Sequence, residues 1–579
     1  MFFRGPRIWA ALVCLATTAS SSSAIDWMPL DAALAKAKAD HKPVYVLVTS
    51  RLSELTRETY ESLKTPETAD YFAAHFECVR LDRDERPDFA AAVQQYLYRV
   101  KQQSGWPAHV WLTPDGQPYD GANYLPPAEE WGKKSLSEVA RRNGDLWEHS
   151  APVCQREAKS ALTVLRVRPI LTSFRDSRIA GLVDEGFTNW SAAYDAVNPG
   201  FGDTPRYPEP ELLRALLRRG GADRDRAVRV LKALANSGIH DPLDGGFFRY
   251  TQDKGGILPY PQKLMADQAR LAMALLDAQA LQPDPALADA ARGALGYVLR
   301  RLARPDGLFA NAEDGTGVGH ESYFAWKAAD VAAVLGDRAA AFEAAFAIAP
   351  NGNLSTDTDP SGQFAGKNLL RRVGQRGSEA DEAALAADEA KLLAARDHRG
   401  ALAKDDRPLA YAHGLFAAAL VQAAQVLKDD RFRAAASRLA PLLHRKFLGP
   451  DGSVRHVAGE ELPGTATDAA ALALGFRSLA HAGIDAQGNA AADALMALCD
   501  QKYLSAAGDG YAASALPLAP GVFMRASAFR LADHEVSPEA LALLAGPSSA
   551  AAPRLRQVLA HRAAASDIVA GDTLLVLER

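Results

Sequence analysis

Pro43-Val44-Tyr45-Val46-Leu47-Val48 is a short apolar run rich in β-formers, the pattern of a strand buried on both faces. Residues 54–63 then read as helix. Thr65-Pro66-Glu67 predicts the start of another, with a side-chain cap, proline at the first helical position and an early acid. Cys78-Val79-Arg80-Leu81-Asp82 alternates like a strand, residues 89–98 return to helical spacing, and residues 108–112 form a third strand. Thr113-Pro114-Asp115-Gly116 places proline and glycine as a tight turn does, sending the chain back toward Tyr119 in a hairpin. The order is βαβαββ with a helix after it. From Glu209 onward the period changes: amphipathic helices follow one another with short connections rich in Gly, Pro and Asp. Leu271, Leu275 and Ala278 mark one helix, Phe416, Leu420, Ala423 and Leu427 a second, and Leu472, Phe476 and Leu479 a third that ends at Gly483. Residues 414–427 are apolar nearly all round, as inner helices of a ring are, and about a dozen such segments suit paired helices closing into an (α/α)6 toroid. A helical solenoid is disfavoured because no fixed-length repeat is present.

At 579 residues the chain exceeds one ordinary core. It divides into a multidomain α/β plus all-α arrangement: a thioredoxin-like domain over 25–150, a six-hairpin helical domain over 155–545, and a partly helical C-terminal tail over 546–579. Hydrophobic residues at 48% and charged residues at 23% are globular proportions. Residues 1–24 read as a signal peptide, with Arg4 and Arg7, an apolar stretch over 8–19, and Ser22-Ser23-Ala24 before the cleavage point. A secreted or periplasmic location follows, with no membrane span after cleavage. The formal charge of −5 lacks the concentrated basic surface that nucleic acid requires. Cys14 leaves with the leader, and Cys78, Cys154 and Cys499 are an odd, widely spaced set that suggests no metal knuckle. Neither a cofactor nor a metal is expected.

Leu81-Asp82-Arg83-Asp84-Glu85-Arg86-Pro87-Asp88, Gly105-Trp106-Pro107 and Asn123-Tyr124-Leu125-Pro126-Pro127 resemble the thioredoxin-like domain of the spermatogenesis-associated-protein-20-like family. In that family a thioredoxin domain precedes a six-hairpin, glycosidase-like toroid, similar to the N-acylglucosamine 2-epimerase type. Gly200-Phe201-Gly202-Asp203 with Pro205-Arg206-Tyr207-Pro208, Gly238-Ile239-His240-Asp241-Pro242-Leu243-Asp244-Gly245-Gly246, Glu313-Asp314 and Asp405-Asp406-Arg407 extend the resemblance through most of the chain.

The departures bear on function. The family's Cys-His-Trp-Cys falls here on Thr49-Ser50-Arg51-Leu52, so dithiol exchange has neither attacking nor resolving sulfur. Thr49 and Ser50 are expected to cap the following helix instead. Pro107 corresponds to the cis-proline beside the redox site, and a scaffold that keeps it could still dock an extended peptide by backbone pairing. In the helical half the family's Pro-His-Phe-Glu-Lys-Met reads Pro259-Tyr260-Pro261-Gln262-Lys263-Leu264, replacing a proton acceptor and a carboxylate while keeping Lys263 and Asp267; Ala412-His413 replaces a Trp-Asn pair. The loop residues Asp203, His240, Asp241, Asp244, Arg249, Tyr250, Tyr260, Lys263, Asp267, Glu313, Asp314, Asp406 and His413 are the cleft candidates, although Asp and Gly clusters also make turns. The run Gly315-Thr316-Gly317-Val318-Gly319 has no strand-to-helix setting for a nucleotide.

Three functions are therefore weighed. The first is a non-redox, non-catalytic binder of carbohydrate or a protein partner at the toroid rim. The second is a glycosidase-like or sugar-epimerase-like enzyme using Glu313 or Asp314 with His240 or His413. The third, disfavoured, is a thiol-disulfide oxidoreductase. The second requires two ionisable groups facing one another across the cleft, within about 10 Å for hydrolysis.

Overall fold

The computed structural model describes residues 25–130, 132–165, 173–316, 323–504, 510–511, 536–546, 551–566 and 569–578. The expected signal peptide, Cys14 and the Gly317–Gly319 part of the glycine run lie outside them.

The first unit is an α/β layer structure. Strands β1 (Val44–Thr49), β2 (Glu77–Asp82), β3 (Ala108–Leu112) and β4 (Pro118–Ala122) form a sheet in the order β2-β1-β3-β4. β1 runs parallel to β2 and antiparallel to β3, and β3 pairs with β4 as the hairpin reading predicts. Helices α1 (Leu30–Asp40) and α4 (Pro87–Lys101) cover one face; α2 (Glu54–Lys64) and α3 (Pro66–His75) cover the other. β1 is buried at every position because both faces are covered. Helix α5 (Leu136–Leu165) is broken at Ser150, two residues before Pro152. Its second half puts Cys154, Ala158, Ala161 and Leu165 into the sheet's two cores, so the unit extends to Leu165. Two caps differ from expectation. Ser53, not Thr49 or Ser50, caps α2, because the helix begins only at Glu54; Thr65 turns its hydroxyl to Ser62 O and leaves α3 without a side-chain cap.

The second unit is a ring. Among the described residues six helices form a closed inner cycle: Pro210–Arg219, Met265–Leu281, Ala410–Leu427, Ala466–His481, Pro538–Ala545 and Gly571–Leu577, the last packing back on the first. Outer helices, among them Gly221–Asn236, Pro285–Arg301, Asp430–Phe447 and Gly488–Leu498, pack against them. This is the (α/α)6 toroid-like architecture. Residues assigned by sequence to a tail supply the sixth inner helix, with Gly571 against Leu212 and Trp190 Nε1 donating to Val569 O. Glycines permit the closest helix approach: a Cβ on Gly414 would stand 2.3 Å from Ala471 O. The excursion between the Pro285–Arg301 and Ala410–Leu427 hairpins builds its own small core around Trp326 and Phe342. Ala410–Leu427 is long and apolar enough to cross a membrane, but it is an inner helix packed on Met265–Leu281 and Ala466–His481.

Candidate functional site

The loops that enter the inner helices gather at one end of the ring, where a short sheet of β5 (Gln262–Leu264), β6 (Ala312–Asp314) and β7 (Ala403–Asp405) aligns Lys263, Glu313 and Lys404 side by side. Most of the acids sequence reasoning placed in a cleft are engaged internally there. Asp241 is buried, takes two hydrogen bonds from Arg396 at 3.0 and 2.8 Å and one from Lys263 Nζ at 2.8 Å. Burial alone would raise its pKa; the two cations overcome this and hold the carboxyl below its ordinary range. Asp244 faces Arg300 and Arg301 at 3.3 and 3.1 Å, and burial nevertheless lifts its pKa. Glu313 accepts from Tyr297 Oη at 2.6 Å and pairs with Lys404 at 3.1 Å. Asp314 is capped by the Thr316 N–H and hydroxyl, both at 2.9 Å, and burial raises it.

The two histidines differ in exposure, His413 being fully buried and His240 half-buried. His240 lies against Phe247, and burial lowers its pKa to about 4. His413 sits between Leu409 O at 2.7 Å and the Phe309 N–H at 3.1 Å, also lowered to about 4 by burial. Both rings are therefore neutral at pH 7. Asp203 is a surface residue paired with Lys254, and Asp406 is exposed; its neighbour Asp405 is the buried acid, bound to Arg407 and Asn311. Arg249, Tyr250, Tyr260 and Asp267 remain along the rim. Tyr250 and Tyr260 stack at 4.8 Å and 9°, and Tyr207 adds a third ring 4.9 Å from Tyr250. Burial and the Asp314 carboxylate push Tyr260 up to about 12. Beside them a cavity of about 20 Å³, bounded by Tyr207, Arg249, Asp267 and Arg270, has room for roughly one water.

The thioredoxin-like unit sits on this same end of the ring. Gln262 Nε2 donates to Leu52 O, the last residue of the Thr49-Ser50-Arg51-Leu52 tetrad, at 2.7 Å. Arg57 of α2 donates to Thr316 Oγ1 at 2.9 Å. Arg407, bound bidentately to Asp405, reaches Asp82 at the end of β2 at 2.9 Å, and Asp84 at 3.2 Å and Glu85 at 3.4 Å on the segment that leads to α4. His456 bonds the Asp468 carboxylate at 2.7 Å through Nδ1 and the Asp84 carbonyl through Nε2. With an acceptor at each nitrogen the ring is an imidazolium: burial opposes the charge, but Asp468 and Asp84 raise it to about 9. Sequence reasoning missed Gln262's contact, His456 and Asp468, and quoted Arg407 only inside a string.

Thr49 is buried and turns its hydroxyl to Leu81 O at 3.2 Å. Cys78, Cys154 and Cys499 are unpaired and buried, and burial raises all three thiols, Cys154 to about 11. No sulfur stands at the tetrad. The Trp106–Pro107 peptide is cis, as the resemblance implied. Among the described residues no three His, Cys, Asp or Glu side chains converge as metal ligands.

Comparison with known proteins agrees with the motif strings. A family model described as Thioredox_DsbH, protein of unknown function, DUF255, matches residues 16–166. Human spermatogenesis-associated protein 20 is 28% identical over 489 residues, 75% of this chain and 62% of that protein. The uncharacterized protein B0495.5 of Caenorhabditis elegans is 25% identical over 75% of this chain and 64% of its own length. The chain thus spans less than two thirds of these relatives. Among solved structures, cellobiose 2-epimerase from Bacillus thermoamylovorans aligns over 58% of this chain and 76% of its own, at 11% identity and TM-score 0.38. Unsaturated glucuronyl hydrolase from Bacillus sp. GL1 aligns over 73% and 85%, at 10% identity and TM-score 0.32.

Proposed function

We infer, for a chain that joins a Thioredox_DsbH-type domain to a helical toroid and is similar to spermatogenesis-associated protein 20, an exported, non-redox and non-catalytic role: it binds carbohydrate at the toroid rim. The observation that carries this reading is the Gln262–Leu52 hydrogen bond, which joins the place where a redox pair would stand to the place where a rim carboxylate would stand. Neither position holds a group able to exchange electrons or accept a proton.

Hydrolysis or epimerisation needs ionisable groups free to face a sugar. Glu313 and Asp314 instead sit in separate hydrogen-bond networks, and His240, half-buried, and His413, buried, are neutral rings. The stacked pair Tyr250 and Tyr260, with Tyr207 tilted against Tyr250, favours a saccharide at the rim, since aromatic faces receive the apolar C–H surface of a sugar while their hydroxyls stay polar.

Calorimetry of the purified chain against a glycan panel tests the reading. A saturable glycan signal weakened at least about tenfold by Tyr250→Ala supports it. Binding of peptides but no glycan makes the partner a protein and overturns the carbohydrate assignment. Turnover of any sugar, or reduction of insulin disulfides, overturns the non-catalytic one.

A further inference from the structure

Where the chain leaves β2, one guanidinium of the ring faces four carboxylates. Arg407 holds both oxygens of Asp405 at 2.8 and 2.6 Å and reaches Asp82 at 2.9 Å, Asp84 at 3.2 Å and Glu85 at 3.4 Å. Asp405 ends β7 of the ring and the other three belong to the thioredoxin-like unit, so docking gathers acids that repel one another. Two arginines of the thioredoxin-like unit offset part of this: Arg51 pairs with Glu85 at 2.9 Å, and Arg83 stands 3.4 Å from Asp84. Arg86 is taken by Asp88 of α4, and His456, on the ring side, is balanced by Asp468. The cluster therefore sets four carboxylates against three guanidinium groups, an excess of one negative charge.

A single proton removes that excess, and the geometry selects its place. Asp405 has both oxygens bound, by Arg407 and Asn311, while the Asp84 and Glu85 side chains keep 20% and 33% of their surface in water. Asp82 is only 9% exposed, and its two oxygens are unevenly served. Its Oδ1 accepts from Arg407 and from the Asp84 N–H, both at 2.9 Å, whereas its Oδ2 is buried with no hydrogen-bond partner among the described residues. A buried charge without a donor costs more than a buried neutral hydroxyl. Burial and the Asp84 charge raise the Asp82 carboxyl to about 6, against the opposing pull of Arg407.

We propose that docking of the two units is proton-linked through Asp82: the interface closes tightly in mild acid and loosens as the pH rises toward neutral. In the open arrangement the end of β2 returns to water, and Asp82 to its ordinary 3.8. A carboxyl whose value is higher when docked takes up a proton on docking, so its contribution is complete below about 3.8 and is lost as pH rises through about 6. Between pH 4.5 and 6.5 these two values correspond to about a twentyfold weakening of docking. His456 acts in a separate range, because its charge changes only above about 6.5. This linkage is independent of what the rim binds.

Amide hydrogen exchange of the full chain at residues 50–53 and 82–86, corrected for the intrinsic rate at each pH, reads the opening equilibrium. Opening in the wild type should increase about twentyfold from pH 4.5 to 6.5. Asp82→Asn keeps an oxygen for Arg407 and carries no charge, so its opening should change by no more than about threefold over the same range. Opening that is flat in the wild type, or that rises equally in Asp82→Asn, overturns the linkage. If Asp82→Asn does not fold, a carboxyl-carbon NMR titration of the wild type decides: a midpoint near 6 for Asp82 supports the proposal, and one in the ordinary carboxylate range overturns it.

Discussion

Replacing His456 by Gln should release a pH-dependent part of the grip between the two units. The imidazolium reaches Asp468 through Nδ1 and the backbone of Asp84 through Nε2, so both ring protons are used and one bond crosses from the ring to the thioredoxin-like unit. Its folded-state pKa of about 9 lies above the ordinary 6.5. A raised cation pKa contributes stability that is complete below about 6.5 and is lost as pH rises through 9. The difference between the two values corresponds to about 3 kcal/mol. Little of this is screened, because the His456 side chain is only 8% exposed and that of Asp468 is fully buried. Urea unfolding of the wild type and of His456→Gln at pH 6, 8 and 10 measures it. The stability gap between them should be widest at pH 6 and shrink by about 3 kcal/mol by pH 10. Amide hydrogen exchange at residues 82–86 should accelerate in the variant at pH 6, because Asp84 O loses its donor. A gap that stays constant across this range refutes the charged ring and the latch built on it.

Three further outcomes follow from named contacts. Gln262→Glu removes the amide donor to Leu52 O and sets a carboxylate against that carbonyl, at a cost of about 1–3 kcal/mol; faster proteolysis between the units should report it. Gly414→Ala forces a methyl group into the Ala471 backbone and should destabilise the chain by about 1–3 kcal/mol or more, seen as a lower Tm. The three buried thiols should be silent to an aromatic disulfide reagent in the native state and all react after unfolding, with no insulin reductase activity at any stage.

Much of the fold was legible because its signals are local. The continuous apolar run Val44–Val48 and the turn Thr113–Gly116 each carry their own physics, and the structure follows both. The sixth inner helix was not legible. Gly571–Leu577 is short and buried on every side, so it shows no amphipathic period and reads as a tail until the ring that encloses it is known. The rim acids were found as residue types but not as partners. Asp241 meets Arg396 across 155 positions, and Arg407 meets Asp82 across 325, separations over which spacing says nothing. The stack of Tyr250 on Tyr260 was within reach as two candidates, yet not as one surface, because the turn that brings them together closes through Tyr260 N to Tyr250 O.

The two departures from the family strings, read separately, look like independent losses; the structure makes them neighbours. A thioredoxin-type thiolate depends on access and on an electropositive setting at the start of its helix. In this chain the Leu52 carbonyl at that place is held by Gln262, and α2 is tied to the ring by Arg57. A side chain at 262 that only accepts hydrogen bonds would repel the Leu52 carbonyl, whereas an amide joins it and still accepts from Arg249 at 3.3 Å. Gln at 262 therefore has a physical role that Glu cannot fill, and it fills that role only while the tetrad loop lies against the ring. The same closure sets ring residues against the tetrad loop, the start of α2 and the chain that leaves β2, so the three contacts act as one docking surface.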